Sequence, residues 1–259
     1  MSIMQSVYEV VSNEEIAPAI FNMEILCPDI VSEAREGQFV HVRCGNETLR
    51  RPISICMADK ETSILTLTYL VKGEGTRWLS LRKPGEIVDI MGPLGNGFEV
   101  LPEAKSVILV GGGIGVPPMF SLSNAYGKAA RAIYGFRTKA LTILENETRE
   151  NVSSLTITTD DGSYGMKGFV TDALKLEIEK EKPDAIYACG PMVMLKGIAE
   201  IALKNNIRCQ LSLEERMACG VGACLGCATK IRLSDGSETY KHVCKDGPVF
   251  EAREVIFNG

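Results

Sequence analysis

No run of eighteen uninterrupted apolar residues occurs in this chain, its basic residues never gather into a long block, and histidine appears only twice. The first absence removes any segment that would cross a bilayer as a helix. The stretch from Met1 to Glu9 also lacks a basic region followed by an apolar core, so no export is expected and the cytoplasm is the expected location. The second absence, with 28 basic against 33 acidic residues and a formal charge of -5, opposes the phosphate attraction that dominates nucleic-acid binding. Nucleic acid and membrane are therefore excluded as partners. With only His41 and His242 to draw on, proton-shuttling chemistry has little material, and no catalytic acid or base is expected.

Cysteine, by contrast, is plentiful: nine residues, which without an export signal fit a reducing compartment. Cys27, Cys44, Cys56, Cys189 and Cys209 are scattered through apolar stretches, where a reduced thiol behaves as a small buried hydrophobe. Cys219, Cys224 and Cys227 instead stand in a C-x4-C-x2-C arrangement, with Cys244 seventeen positions further on. That is the plant-type spacing of a 2Fe-2S cluster. Gly220, Gly222 and Gly226 allow the loop to turn tightly and aim backbone N–H groups at sulfur. Four thiolates also suit a structural zinc, although zinc ribbons use two tight pairs rather than three crowded ligands and a distant fourth. His242, two residues before Cys244, is placed to influence the centre from outside; His41 reads as structural.

Along the chain, residues up to about 102 read as short strands separated by turns: Val7–Val11, Ile16–Leu26, Phe39–Arg43, Ile53–Met57, Ile64–Val71 and Ile87–Met91. Closely spaced strands with few helical stretches predict an antiparallel β-barrel over 1–102. From Lys105 strands alternate with helices. Val107–Val110, Ala132–Tyr134, Leu155–Thr159, Ala185–Ala188 and Cys209–Leu213 are the strands; Pro117–Ala125, Thr171–Glu181 and Met192–Asn205 are the helices. This alternation predicts an α/β unit with a doubly wound parallel sheet over 103–213, leaving 214–259 as a small cysteine-bearing unit.

Four turns are candidates for ligand contact. Gly111-Gly-Gly-Ile-Gly115, followed by Val116, Pro117 and Pro118, joins a buried strand to a helix, as a pyrophosphate site does. It lacks the strict G-x-G-x-x-G form, and tight strand-to-helix connections use glycine for structural reasons too. Cys189-Gly190-Pro191 leaves the end of another strand, and an ordinary Gly-Pro turn accounts equally for those residues. Arg51-Pro52-Ile53-Ser54 brings a guanidinium and a hydroxyl to the start of a barrel strand. Thr68-Tyr69-Leu70 ends a strand that runs through Gly75 into a predicted helix, Arg77–Leu81, with Thr76 as its N-cap. A capped helix after a turn is the plain alternative.

Together these motifs resemble the ferredoxin-NADP reductase superfamily, in which Arg-x-x-Ser and a glycine-threonine turn bind FAD, and G-G-x-G-x-x-P with C-G-P binds the nicotinamide nucleotide. The corresponding segments are Arg51–Ser54, Gly75-Thr76, Gly112–Pro118 and Cys189–Pro191. The resemblance implies FAD on Arg51, Pro52, Ile53, Ser54, Thr68, Tyr69, Leu70, Gly75 and Thr76. It implies NAD on Gly112, Gly113, Gly115, Pro118, Cys189, Gly190 and Pro191. Within the superfamily, Arg50–Ile55, Lys72–Thr76, Gly92–Phe98 and Leu213–Cys224 resemble the electron-transfer subunits of two-component, NAD-dependent dihydroorotate dehydrogenases. That narrower likeness implies an FMN-containing catalytic partner, two copies of each subunit, and electrons passing through a 2Fe-2S cluster held by Cys219, Cys224, Cys227 and Cys244 to FAD and then NAD. A flavin is needed there because nicotinamide exchanges a hydride and the cluster single electrons. Two alternatives stay open: the small flavin/iron-sulfur subunit of an NAD(P)H-linked ferredoxin, sulfide or hydrogenase oxidoreductase, and a zinc-stabilised nucleotide-binding protein.

Overall fold

The computed structural model describes residues 3–257, so residues 1, 2, 258 and 259 of the expected end units lie outside the described residues. The first third of the chain forms six strands: β1 (Met4–Ala17), β2 (Ile20–Leu26), β3 (Phe39–Val42), β4 (Arg51–Asp59), β5 (Ile64–Leu70) and β6 (Ile87–Leu94). They close into an antiparallel barrel in the order β1-β2-β5-β4-β3-β6. Inward residues such as Val10, Met23, Val40, Val42, Ile55, Leu67 and Ile90 fill it. Helix α1 (Pro28–Glu33) adds Ile30 and Val31 to that core, and α2 (Glu74–Ser80) adds Leu79.

Two sequence expectations are corrected here. The run Ile16–Leu26 is not one strand: β1 ends at Ala17, which pairs with Ile20 across a turn in which Ala19 has a φ of 60°. Pro18 fixes its own φ and lacks a donor, which breaks the ladder although the flanking residues are apolar. Helix α2 begins at Glu74 rather than Arg77, because Gly73 takes the cap position and Thr76 reaches back to it from the third helical residue.

The second unit carries β7 (Val107–Gly112), α3 (Val116–Tyr126), β8 (Ala130–Phe136), α4 (Glu145–Asn151), β9 (Ser154–Thr159), β10 (Met166–Lys167), α5 (Val170–Lys180), β11 (Ala185–Cys189), α6 (Met192–Lys204) and β12 (Arg208–Ser212). Its sheet order is β10-β9-β8-β7-β11-β12, all parallel. Alternate residues of β7 face opposite layers: Val107 and Leu109 join the core with α3, Ile108 and Val110 the core with α5 and α6. Burial on both faces is why these strands read as unbroken apolar runs. No helix among the described residues is long and apolar enough to cross a membrane.

The remaining chain makes a hairpin, β13 (Ala228–Arg232) with β14 (Glu238–His242), and then β15 (Val249–Glu251), which adds antiparallel to β12 as a seventh strand. Its apolar residues Cys227, Ile231, Val243, Cys244 and Phe250 belong to the same core cluster as Leu195, Leu211 and the barrel's Phe39 and Leu94. Against the barrel it is held by Asn96, whose N–H donates to Gly247 O (2.6 Å) and whose side chain donates to Lys245 O and Asp246 O (3.2 Å each). Gly95 beside it has a φ of 72°, and a Cβ there would lie 2.6 Å from Pro248 Cδ and 2.7 Å from Gly247 O. Replacing Gly95 with valine should therefore destabilise this junction by about 1–3 kcal/mol. Faster hydrogen exchange at residues 243–249 is the expected readout, and unaltered exchange would contradict the assignment.

Candidate functional site

The barrel ladder opens where the site lies. β4 pairs with β5 from Ile55–Leu67 to Asp59–Ile64, but Arg51–Ser54 pair only with β3, and Thr68–Leu70 only with β2. The strand edges therefore part, and a cavity of about 470 Å³ sits there, lined by Arg51, Pro52, Ile53, Ser54, Thr68, Tyr69, Leu70, Lys72, Gly73 and Thr76 from the barrel. Its remaining walls are Phe39, Ile114, Cys189, Ser212, Leu213, Glu214, Glu215, Met217 and Pro248. All three units of the chain thus meet around one opening of ligand size.

Several predicted contacts have particular roles. The Arg51 guanidinium is held by the Glu47 carboxylate (2.7 Å) and the Leu49 carbonyl. Gly75 lies directly beneath it, for a Cβ at Gly75 would fall 2.6 Å from Arg51 Nε. The Thr76 hydroxyl accepts the N–H groups of Lys72 (2.9 Å) and Gly73 (3.2 Å), fixing the loop. Thr68 donates to Asn22 Oδ1 (2.8 Å) and Tyr69 to Asn13 Oδ1 (2.9 Å), so these hydroxyls anchor the strand edge. Cationic Arg51 and Lys72, apolar Phe39, Ile53, Leu70 and Ile114, and the unpaired strand edges suit a flat, partly apolar ring system joined to phosphates.

The two glycine turns leave neighbouring strands at one carboxyl edge, since Gly111 and Cys189 are register partners and β7–β11 is the point where strand order reverses. A Cβ at Gly115 would lie 2.3 Å from Cys189 O, and one at Gly112 would lie 2.4 Å from Met194 Sδ. Those two glycines let the turns approach each other. Gly113 has a φ of 54°, and a Cβ placed there would meet nothing within 4 Å, so this glycine faces open space. Pro118 is buried in α3, and neither the buried Gly190 nor the exposed Pro191 lines the cavity. Burial, then Glu214, raise the Cys189 thiol to about 12 against a hydrogen bond with Ser212, so it remains protonated. Enclosure likewise raises the Glu214 carboxyl above its usual range, with Lys72 pulling the other way; its surface still meets the solvent in the open cavity. Glu214, Glu215, Met217, Phe39 and Ile114 were not singled out as contacts from the sequence. The available signal was proximity to the cysteine loop for the first three, and none for Phe39.

The four clustered cysteines come together at the end of the cavity wall. Val221 N–H (3.5 Å) and Ala223 N–H (3.3 Å) donate to Cys219 Sγ, Gly222 N–H to Cys244 Sγ (3.2 Å), and Gly226 N–H to Cys224 Sγ (3.4 Å). Burial alone would raise the Cys219 thiol, but donors led by Val221 and Cys224 outweigh it and bring it down to about 6. Cys244 is pushed up to about 12 by burial and by its hydrogen bond with Cys227. Cys219 thus neighbours Cys224, and Cys244, whose N–H donates to Cys227 Sγ (3.5 Å), neighbours Cys227. Among the described residues no group of three Cys, His, Asp or Glu side chains converges on a single-ion site. Two thiol pairs with backbone donors aimed at sulfur fit a binuclear iron-sulfur cluster.

Residues 214–256 match the iron-sulfur cluster binding domain of dihydroorotate dehydrogenase B, and residues 109–200 an oxidoreductase NAD-binding domain. The dihydroorotate dehydrogenase B (NAD(+)) electron transfer subunit of Caldanaerobacter subterraneus subsp. tengcongensis is 44% identical over 249 residues, covering 96% of this chain and 97% of that protein. The same subunit of Bacillus mycoides is 42% identical over 257 residues, covering 95% and 96%. A solved structure of an NADH-dependent reduced ferredoxin-NADP oxidoreductase superposes with a TM-score of 0.85 at 33% identity, covering 97% of this chain and 90% of that one. The iron-sulfur match weighs against the zinc alternative.

Three substitutions probe the site. Cys224→Ser should abolish or destabilise the iron centre while bound flavin stays, read from iron content and visible absorption; full iron content would remove Cys224 from the ligand set. Arg51→Ala and Gly75→Val should both lower flavin retention, at least ten-fold in Kd for the former, about 1.4 kcal/mol. Undiminished flavin in both would clear that corner of the cavity.

Proposed function

The chain belongs to the family of electron transfer subunits of NAD-dependent dihydroorotate dehydrogenase B, and from that membership we propose that it conducts electrons from a catalytic partner subunit, through a 2Fe-2S cluster and FAD, to NAD+ in pyrimidine biosynthesis. The observation that carries this reading is one continuous segment: Glu214, Glu215 and Met217 line the cavity, and Cys219 opens the cysteine loop two residues later. Two residues span at most about 7 Å of chain, so the cavity wall leads directly into the cluster loop. Ile114 and Cys189 bring the nucleotide edge of the sheet to the same opening.

In this reading Cys219 and Cys224 hold one iron, and Cys227 and Cys244 the other. Arg51, Pro52, Ile53, Ser54, Thr68, Tyr69, Leu70, Gly75 and Thr76 form the FAD site, with Arg51 neutralising phosphate charge and the parted edges of β4 and β5 receiving the ring. Gly112, Gly113, Gly115, Pro118, Cys189, Gly190 and Pro191 form the NAD site, Gly113 offering its open face and the others shaping the turns. The units are a FAD barrel at 1–102, an NAD domain at 103–213 and a cluster domain at 214–259. When bound, FAD exchanges electrons singly with the cluster and as a hydride with nicotinamide. The side chains position these groups, shield them from water and set their electrostatics; none is assigned a proton-transfer role in the reaction.

Electrons enter where the cluster loop reaches solvent. Cys219 and Cys224 are partly exposed, and Leu225 between Cys224 and Cys227 is 79% exposed. A catalytic subunit carrying FMN, assembled as two of each subunit in the cytoplasm, completes the proposal. The 33% identity to the ferredoxin-NADP oxidoreductase chain favours one second reading, the small subunit of an NAD(P)H-linked ferredoxin oxidoreductase. The donor set of four cysteines and the family membership favour the first.

Co-purified with its partner, the protein should show flavin bands with a broad iron-sulfur shoulder and reduce NAD+ with dihydroorotate. A colourless zinc protein would reject both electron-transfer readings; ferredoxin-linked turnover without dihydroorotate activity would select the second.

A further inference from the structure

His41 is 0% exposed, and neither Nδ1 nor Nε2 has a hydrogen-bond partner in the protein. Its position explains the burial. On β3, Val40 and Val42 point into the barrel core, whereas Phe39 and His41 point outward. Phe39 lines the flavin cavity, and its ring meets the imidazole edge-on with centroids 6.1 Å apart. His41 is covered by the cysteine loop: a Cβ on Gly220 would fall 2.6 Å from its Nδ1 and 2.9 Å from its Cε1. With a φ of 72°, Gly220 places bare backbone against the ring.

A buried N–H without a partner costs about 1–3 kcal/mol. An outward-facing strand position could carry an apolar residue at no such cost, as Met91, the register partner of His41 on β6, does. Burial, and then the Arg50 charge, keep the ring neutral down to about 4, so one nitrogen carries a proton to donate and the other accepts. The protein leaves that donor unmatched at the loop where the N–H groups of Val221 and Ala223 donate to Cys219 Sγ and that of Gly222 to Cys244 Sγ.

We propose that His41 tunes the iron-sulfur centre: its imidazole N–H donates a hydrogen bond to an inorganic sulfide of the cluster held at the 219–227 loop, which stabilises the more negative reduced state and raises the reduction potential. This rests on the iron-sulfur reading above. His41 also stands beside Phe39, so a strand that helps to wall the flavin cavity also sets the driving force for the electron reaching it. His242, the candidate from sequence spacing, lies 3.6 Å from the Asp246 carboxylate and is partly exposed.

The test compares intact flavin- and cluster-loaded protein with His41→Phe, which keeps an aromatic ring without a donor, and His41→Gln, which restores an N–H. Potentiometric titration followed by electron paramagnetic resonance should show the equilibrium constant for cluster reduction about ten-fold lower in His41→Phe, a midpoint about 59 mV lower for one electron. His41→Gln should recover most of that change. An unchanged midpoint in His41→Phe, or a fall that His41→Gln does not relieve, overturns the proposal. If His41→Phe fails to retain its cluster, pulsed resonance on ¹⁵N-histidine protein bearing His242→Gln decides: nitrogen coupling to the reduced cluster supports the bond, and its absence overturns it. Wild-type protein without iron would reject the iron-sulfur reading itself, an outcome distinct from a loaded cluster indifferent to His41.

Discussion

The cysteine unit has no core of its own, and the rest of the site depends on that. Forty-odd residues with a two-stranded hairpin bury too little apolar surface to fold alone, as is general for so small a unit. Here Cys227, Ile231, Val243, Cys244 and Phe250 share one core with helix α6, strand β12 and two barrel residues, Phe39 and Leu94. Hydrophobic burial acts on area and not direction, so the direction comes from Asn96 at the barrel and from β15 on the sheet edge. A cluster held this way cannot swing away from the cavity between the units without opening the core that both domains share. Electron transfer, which falls steeply with distance, is well served by an arrangement whose stability and geometry have the same origin.

The barrel contributes an opening rather than a pocket in its interior. A closed sheet leaves no free edge, yet β4 and β5 separate at Arg51–Ser54 and Thr68–Leu70 while each keeps its other neighbour. The irregular register between Ile55 and Met57 is where the separation begins, as a bulge re-aims a strand at a barrel rim. The polar groups exposed by it face the cavity, and the hydroxyls of Thr68 and Tyr69 tie the β5 edge to Asn22 and Asn13. Binding therefore meets a prepared surface, and little ordering remains to be done when a ligand arrives.

Much of this was legible in the residues. Six strand runs became six barrel strands apart from the hairpin hidden at Pro18-Ala19, and the apolar runs after Lys105 became the central parallel strands. The motif segments lie around one cavity because turn chemistry is local and the parallel sheet puts β-strand carboxyl ends on one edge. What sequence reading left out depends on distant pairing. Strand β15 is three residues long and exists only because β12 offers an edge, and β10 has two residues. The motif Gly92–Phe98 was visible as a likeness, but its role as a ledge for Gly247 and Pro248 needed residues some 150 positions apart to be seen together.

The glycine turns show why a motif alone is ambiguous. Of the glycines from Gly111 to Gly115, Gly111, Gly112 and Gly115 are hemmed in by the molecule itself, since Val116, Met194 and Cys189 occupy the space a side chain would need. Gly113 alone has free space before it, and that space lies at the reversal of strand order. Closely packed and open glycines are therefore interleaved in five residues. The cysteine loop is packed in the same way, where Gly220 is bare because His41 lies against it and Gly222 because Lys245 does, while the amides of Val221, Gly222 and Ala223 point at sulfur. Close packing brings each turn near its neighbour, and the backbone donors left over by that packing face the sites. Glycine is needed for both, which is why its frequency in a turn signals proximity before it signals a ligand.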